Sequence, residues 1–488
     1  MGDAPFLMGI DIGTTAVKVV VYDTDGRERH RYARAYPTTR NGAFSEQDPA
    51  DWMRCLSEAF DEIARAGHAP AIAAIGVTSQ VNTHVFCAAD GTPVHPAITW
   101  ADTRARVAAS SLDAGITEAE RATWWGAAMG IDASHMAARM EWMAEAKPDL
   151  WAATAQVLLP KDWVIGQLTG AYVSDPVSQI GAVGRDGAFI ADLFARIGGA
   201  RNRLPELRDP VTVAGHARVP GADRPVPVAT GLMDAWASMF GVGVRAEGDA
   251  MYISGTSEIP GVISAIVNPA EGALVFPPHM GLTLHAAPTQ SGGASLTWLC
   301  GLFDTRPEVL MAEVAALPAR GANALFLPHL SGERAPLWDA SARGTFLGLD
   351  NSMGRAEIAR AVLEGVAMSV RLAFAALDTS AGMRAEVLNC GGGGFTSDRW
   401  NQIRADVLGR ELRRLAVRDP GALGAAALAA VAAGLQPDLD TALASAVRFD
   451  KTYTPDPEGQ DRAEALYALY RPAYEAARAT NHALAAMG

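Results

Sequence analysis

At 488 residues the chain is too long for one ordinary domain and predicts two or three, and an apolar content of 49% is ample for their cores. A formal charge of −13 argues against nucleic acid or an anionic membrane as partner, since either needs clustered Lys and Arg. A small-molecule partner is the expectation. Cys55, Cys87, Cys300 and Cys390 are scattered without a C-x-x-C pair, which spells neither a zinc site nor a redox motif and fits reduced thiols in cytosol. The first ten residues lack a basic region followed by a long apolar one. The longest uncharged apolar run, around Ala422 to Leu435, is too short to span a bilayer. A soluble, cytoplasmic protein is expected.

The chain opens with an apolar run from Phe6 to Ile10, a small-residue turn at Asp11-Ile12-Gly13-Thr14-Thr15, and a β-branched run from Val17 to Val21 broken only by Lys18. This pattern predicts a hairpin. Its turn offers backbone N–H groups, two hydroxyls and a carboxylate, a corner that suits a phosphate with its Mg²⁺, although an ordinary polar hairpin tip reads the same way. After Asp25-Gly26, Ser45 to Pro49 leads into a predicted helix from Ala50 to Ala66 with an apolar stripe of Trp52, Leu56, Phe60 and Ile63. Ala71 to Val77 reads as a buried strand running into an unusually polar end, Thr78 to His84, which contains Gln80, Val81 and Asn82. Strand ends of this kind hold ligands in α/β folds. Pro96 to Arg104, with Asp102, makes a second polar strand end. Met136, Met140 and Met143 recur at helical spacing as a core stripe. Leu158 to Trp163 opens an amphipathic segment, and Ser174 to Ala182 reads as a polar loop. Val226 to Asp234 brings a third strand to a lone carboxylate, for which an exposed loop acid is the alternative.

Ala250 to Ser257 followed by Ile259 to Val267 repeats the opening pattern about half a chain later, with Gly255-Thr256 in place of Gly13-Thr14. Two such hairpins suggest two related domains, 1–244 and 245–488, offering their turns to one phosphate chain. The boundary stretch Gly241 to Ala246 also satisfies G-x-G-x-x-A, but it reads as a hinge and not as a strand-to-helix turn, so a dinucleotide site is discounted. Further on, Ser291 to Ser295 precedes an apolar segment and Leu325 to Pro328 is a strand. Arg355 to Leu377 predicts a long helix whose charged stripe, Glu357, Arg360, Glu364 and Arg371, faces solvent or the other domain. Val387 to Cys390 runs into Gly391 to Gly394 ahead of a helix from Asp398 to Leu408, so a flat ring or a phosphate can approach that backbone. No Walker loop occurs.

The residues resemble the FGGY carbohydrate kinases, most closely their xylulokinase-like branch, over nearly the whole chain. Gly344 to Leu349 through Glu357-Ile358 to Ala361-Val362-Leu363-Glu364 is similar to the family's second signature at every defined position. Ser45 to Pro49, Leu159 to Asp162, Leu330 to Arg334 and Gly392 to Gln402 resemble further segments, while Arg139 replaces a lysine of the first signature. The resemblance implies an α/β fold of two actin-like, RNase H-like domains with ATP and substrate in an interdomain cleft that closes. It implies Asp234 as general base and Asp11 as support for Mg²⁺, with both carboxylates near the metal. Gly13, Thr14, Thr15 and Lys18, together with Gly255 and Thr256, would cradle phosphates; Gly293, Gly393 and Ser397 would hold the nucleotide. Gln80, Val81, Asn82 and Asp102 would line the sugar pocket.

The implied reaction is ATP-dependent phosphorylation of a ketopentose or related polyol, D-xylulose to D-xylulose 5-phosphate in the first instance. Ribulose, L-xylulose, erythritol, gluconate and glycerol are alternatives, and a homodimer is the candidate assembly. An actin-like or chaperone-like ATPase is the reading from another class, and a sugar-binding regulator on a degenerate kinase scaffold a third. The polar strand ends at Gln80 and Asp102 count against the ATPase, and the presence of both Asp11 and Asp234 against the regulator. Where xylulokinases usually carry Met-His after the glutamine and Asn after the base, this chain has Val81, Asn82 and Ala235, with His135 in place of a common phenylalanine. A changed hydrogen-bond pattern in the pocket is therefore expected.

Overall fold

The computed structural model describes residues 5–126, 129–268, 270–276, 278–318 and 323–487. The first half contains β1 (Phe6–Ile12), β2 (Ala16–Asp23), β3 (Glu28–Ala35), α1 (Pro49–Arg65), β4 (Ile72–Ser79), α2 (Met136–Ala146), α3 (Pro160–Thr169), β5 (Val213–Ala217), β6 (Val226–Ala229) and α4 (Asp234–Gly241). The second contains β7 (Ala250–Ser254), β8 (Glu258–Ser264), β9 (Leu274–Val275), β10 (Thr283–Ala286), α5 (Gly293–Leu302), α6 (Arg355–Ala381), β11 (Val387–Gly391), α7 (Asp398–Leu408) and β12 (Glu411–Leu415). It continues through α8 (Pro420–Ala432), α9 (Leu439–Ala446), β13 (Phe449–Tyr453) and α10 (Pro457–Ala485).

Two compact units result. The first runs to Gly243 and takes back Asp419–Val447; the second holds Val244–Arg418 and the chain from Arg448 onward. Its sheet has the order β5-β6-β4-β1-β2-β3, and that of the second unit β9-β10-β8-β7-β11-β12-β13. In each, a hairpin (β1–β2, β7–β8) pairs antiparallel, and its first strand pairs parallel with a later one, β4 or β11. The repeated Gly-Thr turns thus occupy equivalent corners of two sheets of the same build.

The division at residue 244 expected from the sequence is crossed a second time, because α8 and α9 belong with the first unit. The cause is packing. Helix α8 is alanine- and glycine-rich and so can lie directly on backbone. A Cβ on Gly9 of β1 would fall on the Ala422 carbonyl, one on Gly76 of β4 on the Ala425 carbonyl, and one on Gly424 of α8 on the Ala237 carbonyl of α4. Across the sheet, Trp52 of α1 and Trp163 of α3 meet edge to face with ring centroids 6.0 Å apart. Strand β1 is therefore covered on both faces, which explains its uninterrupted apolar run.

Other expectations are met or corrected by long-range burial. Met136, Met140 and Met143 on α2 are core. Helix α3 is not amphipathic: Lys161 and Asp162 on it are fully buried, with the Lys161 ammonium 2.7 Å from Asp162 and 2.8 Å from Asp175. The segment after Ser174, which ends a two-residue strand, is a loop, but Ser174, Asp175, Ser178 and Gln179 are buried. The charged stripe of α6 does not face solvent or the other domain at its centre. Arg360 and Glu364 are buried, and Glu364 accepts from Arg360 (2.9 Å) and from Arg462 of α10 (2.9 Å), which covers the stripe within the same unit. Arg371 reaches Glu464 of that helix. Among the described residues no helix is long and apolar enough to cross a membrane.

Backbone cannot move aside as a flexible side-chain end can, so overpacking this seam is costly. Gly76→Ala should lose about 1–3 kcal/mol of stability or more, whereas Gly198→Ala, which meets nothing within 4 Å, should stay within about 0.5 kcal/mol of the parent. Urea unfolding of the three proteins checks this; equal midpoints would refute the direct backbone contact.

Candidate active site

In the first unit the site starts from strand register. β1 and β2 pair so that Asp11 lies directly across from Lys18, and the ammonium sits 3.0 Å from Asp11 Oδ2. Lys18 also lies 3.7 Å from Asp419 Oδ1, whose other oxygen accepts from Arg31 Nε at 2.6 Å. The Asp11 charge is the main reason the Lys18 pKa is raised above its ordinary value, with Asp419 adding to it. Lys18 is thus engaged with two carboxylates. Asp11 is buried, and its Oδ1 has no protein partner.

Asp234 occupies the first turn of α4, not an exposed loop. The preceding residue is pinned from outside the helix, since the Met233 N–H donates to Ser178 Oγ at 2.8 Å. Part of the Asp234 side chain stays accessible, but crowding by protein atoms removes water from the carboxyl and is the largest influence on it; Asp11 adds a second negative charge. The N–H of Ala235 and the Lys18 ammonium oppose both, and the pKa settles at about 7.

Between the strands the hairpin tip is held from below. Gly13 N–H donates to Ala16 O at 3.1 Å, and the Tyr36 hydroxyl donates to Gly13 O. Thr14 O accepts from Gln47 Nε2 at 2.8 Å, and Thr14 Oγ1 accepts from Trp100 Nε1 at 3.1 Å, which leaves the hydroxyl hydrogen of Thr14 for an acceptor outside the tip. Thr15 is exposed. At the end of the neighbouring β4, Gln80 donates its backbone N–H to Ile12 O at 3.0 Å; its Nε2 donates to Gln47 Oε1 at 2.8 Å, while its Oε1 is buried without a partner. Val81 is half-buried. Asn82 takes a left-handed conformation (φ 48°) and donates to Ser134 Oγ at 3.1 Å. Asp102 is buried, and its oxygens accept from the Arg104 guanidinium (2.6–2.9 Å) and from Ser45 N–H (2.6 Å).

Arg139, noted in the sequence only for replacing a lysine, braces this loop set. It is fully buried and donates to the carbonyls of Asn82, Ile98 and Thr99 and to His84 Nδ1. Burial lowers its pKa to about 9. Gln47, Tyr36 and Trp100 were also not singled out; the one signal for Gln47 is its place in the resembling segment Ser45 to Pro49.

In the second unit Gly255, Thr256, Gly293, Gly393 and Ser397 gather at the ends of the adjacent parallel strands β7 and β11. Gly255 N–H closes the turn onto Ser257 O (2.9 Å), and the start of α5 clasps it, Gly293 N–H to Gly255 O (3.0 Å) and Ala294 N–H to Thr256 O (3.1 Å). A Cβ on Gly293 would lie 2.5 Å from the Gly255 carbonyl, so the clasp needs glycine there. Gly393 opens onto free space, whereas Gly392 and Gly394 press on Ser254. Ser397 caps α7 by accepting from Trp400 N–H (3.3 Å). Beneath the turn, buried Arg404 donates to Gly394 O and Ser254 Oγ (both 2.8 Å) and pairs with buried Glu258 at 3.3 Å.

A hard divalent cation fits the first unit's donor set. Asp11 Oδ1 is an acceptor without a partner, and a nearby positive charge would relieve the repulsion between Asp11 and Asp234. Among the described residues no group of three or more His, Cys, Asp and Glu could cage a metal. A divalent ion such as Mg²⁺ takes one or two carboxylates from a protein and completes its shell with water and phosphate oxygens.

Two sheets of this topology, each opening on a Gly-Thr hairpin, define the actin-like, RNase H-like α/β class. The chain belongs to the FGGY family of carbohydrate kinases: the family's N-terminal domain matches residues 6–241 and its C-terminal domain residues 250–433. The xylulose kinase of Escherichia coli is 28% identical, over 96% of this chain and 97% of its own. The structure of a xylulose kinase from Lactobacillus acidophilus superposes with a TM-score of 0.85 at 25% identity, covering 98% of this chain and 100% of that one. A gluconate kinase from the same organism superposes with a TM-score of 0.85 at 26% identity, covering 98% and 99%. The protein is a carbohydrate kinase.

The Asp234 environment carries a pH signature. A carboxyl whose folded pKa lies above its unfolded value of about 3.8 costs nothing when both states are protonated. It becomes destabilising as pH rises from there through about 7. Relative to the parent, Asp234→Asn should therefore gain stability between pH 5 and pH 8. Thermal unfolding of both proteins at the two pH values tests it, and an unchanged difference would mean the carboxyl is not perturbed.

Proposed function

We propose that the chain transfers the γ-phosphoryl group of ATP to a hydroxyl of a ketopentose, with D-xylulose as the first candidate. The observation that carries the mechanism is a carboxyl held near neutral pKa at the start of α4 with a second carboxylate, Asp11, adding charge beside it. At neutral pH such a carboxylate accepts the proton of an alcohol as its oxygen attacks phosphorus, while it is not so acidic that the proton has no driving force to move. Asp234 is assigned that role. Asp11, with Asp234 nearby, would hold Mg²⁺, which when bound supplies charge neutralisation on the phosphate oxygens.

The chain's own groups do the positioning. Thr14 and Thr15 in one unit and Thr256 in the other offer N–H and O–H donors at turns that Gly13 and Gly255 close with their own N–H groups, so little order is lost on binding phosphate. Lys18, already on Asp11, keeps positive charge at the tip. Gly293, Gly393 and Ser397 are assigned to the nucleotide, supported by the open space over Gly393. Gln80, Val81, Asn82 and Asp102 are assigned to the sugar. For Asp102 the supporting observation is a fixed carboxylate at the strand end, both of whose oxygens are held by Arg104 and the Ser45 N–H. Four buried thiols outside any disulfide support a reducing, cytoplasmic setting.

Xylulose and gluconate kinases resemble the fold equally, so the sugar is decided by side chains. Asn82 and Ala235 alter the donors and acceptors that xylulokinases present, and another ketopentose or polyol is the second reading. Parallel assays of D-xylulose, D-ribulose, L-xylulose, L-ribulose, erythritol, glycerol and gluconate test both. D-xylulose well ahead of the rest confirms the first candidate, another ketopentose or polyol favours the second, and no turnover of any ketopentose refutes the class.

Asp234→Asn should lower kcat by roughly 10²-fold or more with ATP affinity little changed. In the parent, kcat/KM for sugar should fall about tenfold per pH unit below about 7, where the base becomes protonated. Near-normal turnover of the variant would remove Asp234 from the chemistry.

A further inference from the structure

We infer that Gln47 is a positioning residue for sugar recognition, which fixes the sense of the Gln80 amide and ties it to the phosphate hairpin. The inference rests on the reading of Gln80 as a sugar contact. Both glutamines are almost fully buried, at 2% and 1% exposure. Gln47 Nε2 donates to Thr14 O at 2.8 Å and to Thr38 Oγ1 at 2.9 Å. A backbone carbonyl only accepts, so the nitrogen end of Gln47 must face Thr14 and the oxygen end must face away. That oxygen accepts from Gln80 Nε2 at 2.8 Å.

The second amide therefore inherits its orientation from the first. Gln80 is left presenting Oε1, buried and without a protein partner. Such an oxygen calls for a donor from the ligand. A hydroxyl that gives its hydrogen satisfies it; a carbonyl, an ether or a deoxygenated carbon at the same place does not. The same train reaches the hairpin, because Thr14 is held through its carbonyl by Gln47 and through its hydroxyl by Trp100, while the Gln80 N–H is fixed on Ile12 O. One run of hydrogen bonds, Gln80 to Gln47 to Thr14, joins the residue assigned to the sugar and the turn assigned to phosphate.

The test measures kcat and KM for ATP and for the best sugar of the panel, and repeats the sugar assay with its monodeoxy and mono-O-methyl analogues. The proteins are the parent, Gln80→Ala, Gln47→Met and the double variant. Methionine keeps the length of Gln47 but removes both amide ends, which frees Gln80 to turn. Gln80→Ala should lower kcat/KM for sugar about tenfold or more. Gln47→Met should raise sugar KM by about tenfold and compress the preference for the parent sugar over its analogues by a similar factor. The double variant should be no worse than Gln80→Ala by more than about twofold, since Gln47 acts through Gln80.

If Gln80→Ala leaves sugar kcat/KM intact, Gln80 does not meet the sugar and both readings fall. If Gln80→Ala costs activity but the two losses multiply, or the preference among analogues is unchanged by Gln47→Met, only the role of Gln47 falls. Should Gln47→Met not fold, Gln47→Glu replaces it. Its carboxylate still accepts from Gln80 but cannot donate to Thr14, so analogue preference should survive while KM for ATP rises; preference lost with KM for ATP unchanged would overturn the inference.

Discussion

Asp11 and Asp234 repel each other, and much of the first unit reads as the means of holding them in place despite that. Neither carboxylate is neutralised completely by the protein. Lys18 is drawn to Asp11 by strand register but is shared with Asp419, and Asp419 is in turn shared with Arg31. The start of α4 is fixed through Met233 and Ser178, and the far side of the same helix rests on the glycine seam of α8. A site that stays electrostatically unsatisfied is one that favours the arrival of a cation and a proton. It keeps that character because its supports are packed backbone and buried hydrogen bonds and not adjustable surface groups.

The two hairpins solve one problem with different supports. In the first unit the Gly-Thr turn is braced by long side chains, Tyr36, Gln47 and Trp100, that come from segments specific to that unit. In the second it is clasped by backbone, Gly293 and Ala294 on Gly255 and Thr256, with Arg334 reaching Ser257 Oγ and with Arg404 and Glu258 beneath the neighbouring glycines. Side-chain bracing ties the first turn through Gln47 to the Gln80 amide. Backbone clasping gives the second a shape that few substitutions can tune.

Much of this was legible in the sequence because it is local. A turn with Asp11, Gly13 and Thr14 between two apolar runs declares a hairpin, its recurrence at Gly255 declares a duplication, and Met136, Met140 and Met143 declare a buried face. What stayed hidden is set by partners far away in the chain. Lys161 and Arg360 look like surface charges until Asp175 and the helix bearing Arg462 cover them. Gln47 reads as the lead-in to α1, since Thr14 and Gln80 each lie 33 positions away. The run of small residues from Pro420 belongs by position to the second half; only the glycines at 9, 76 and 424 meeting carbonyls across the seam show which sheet it completes.

The origin of that helix in the chain has a consequence for biosynthesis. The first unit buries β1 and β4 beneath α8, yet Val244–Arg418 must be translated before α8 exists. At ordinary elongation rates of about 5–20 residues per second, the sheet that carries Asp11 waits on the order of ten to thirty seconds with one apolar face uncovered. Completion of the first unit therefore follows, and does not precede, synthesis of most of the second. A ribosome-stalled chain ending before residue 419 would expose that face to chaperones while already holding every residue of both Gly-Thr turns.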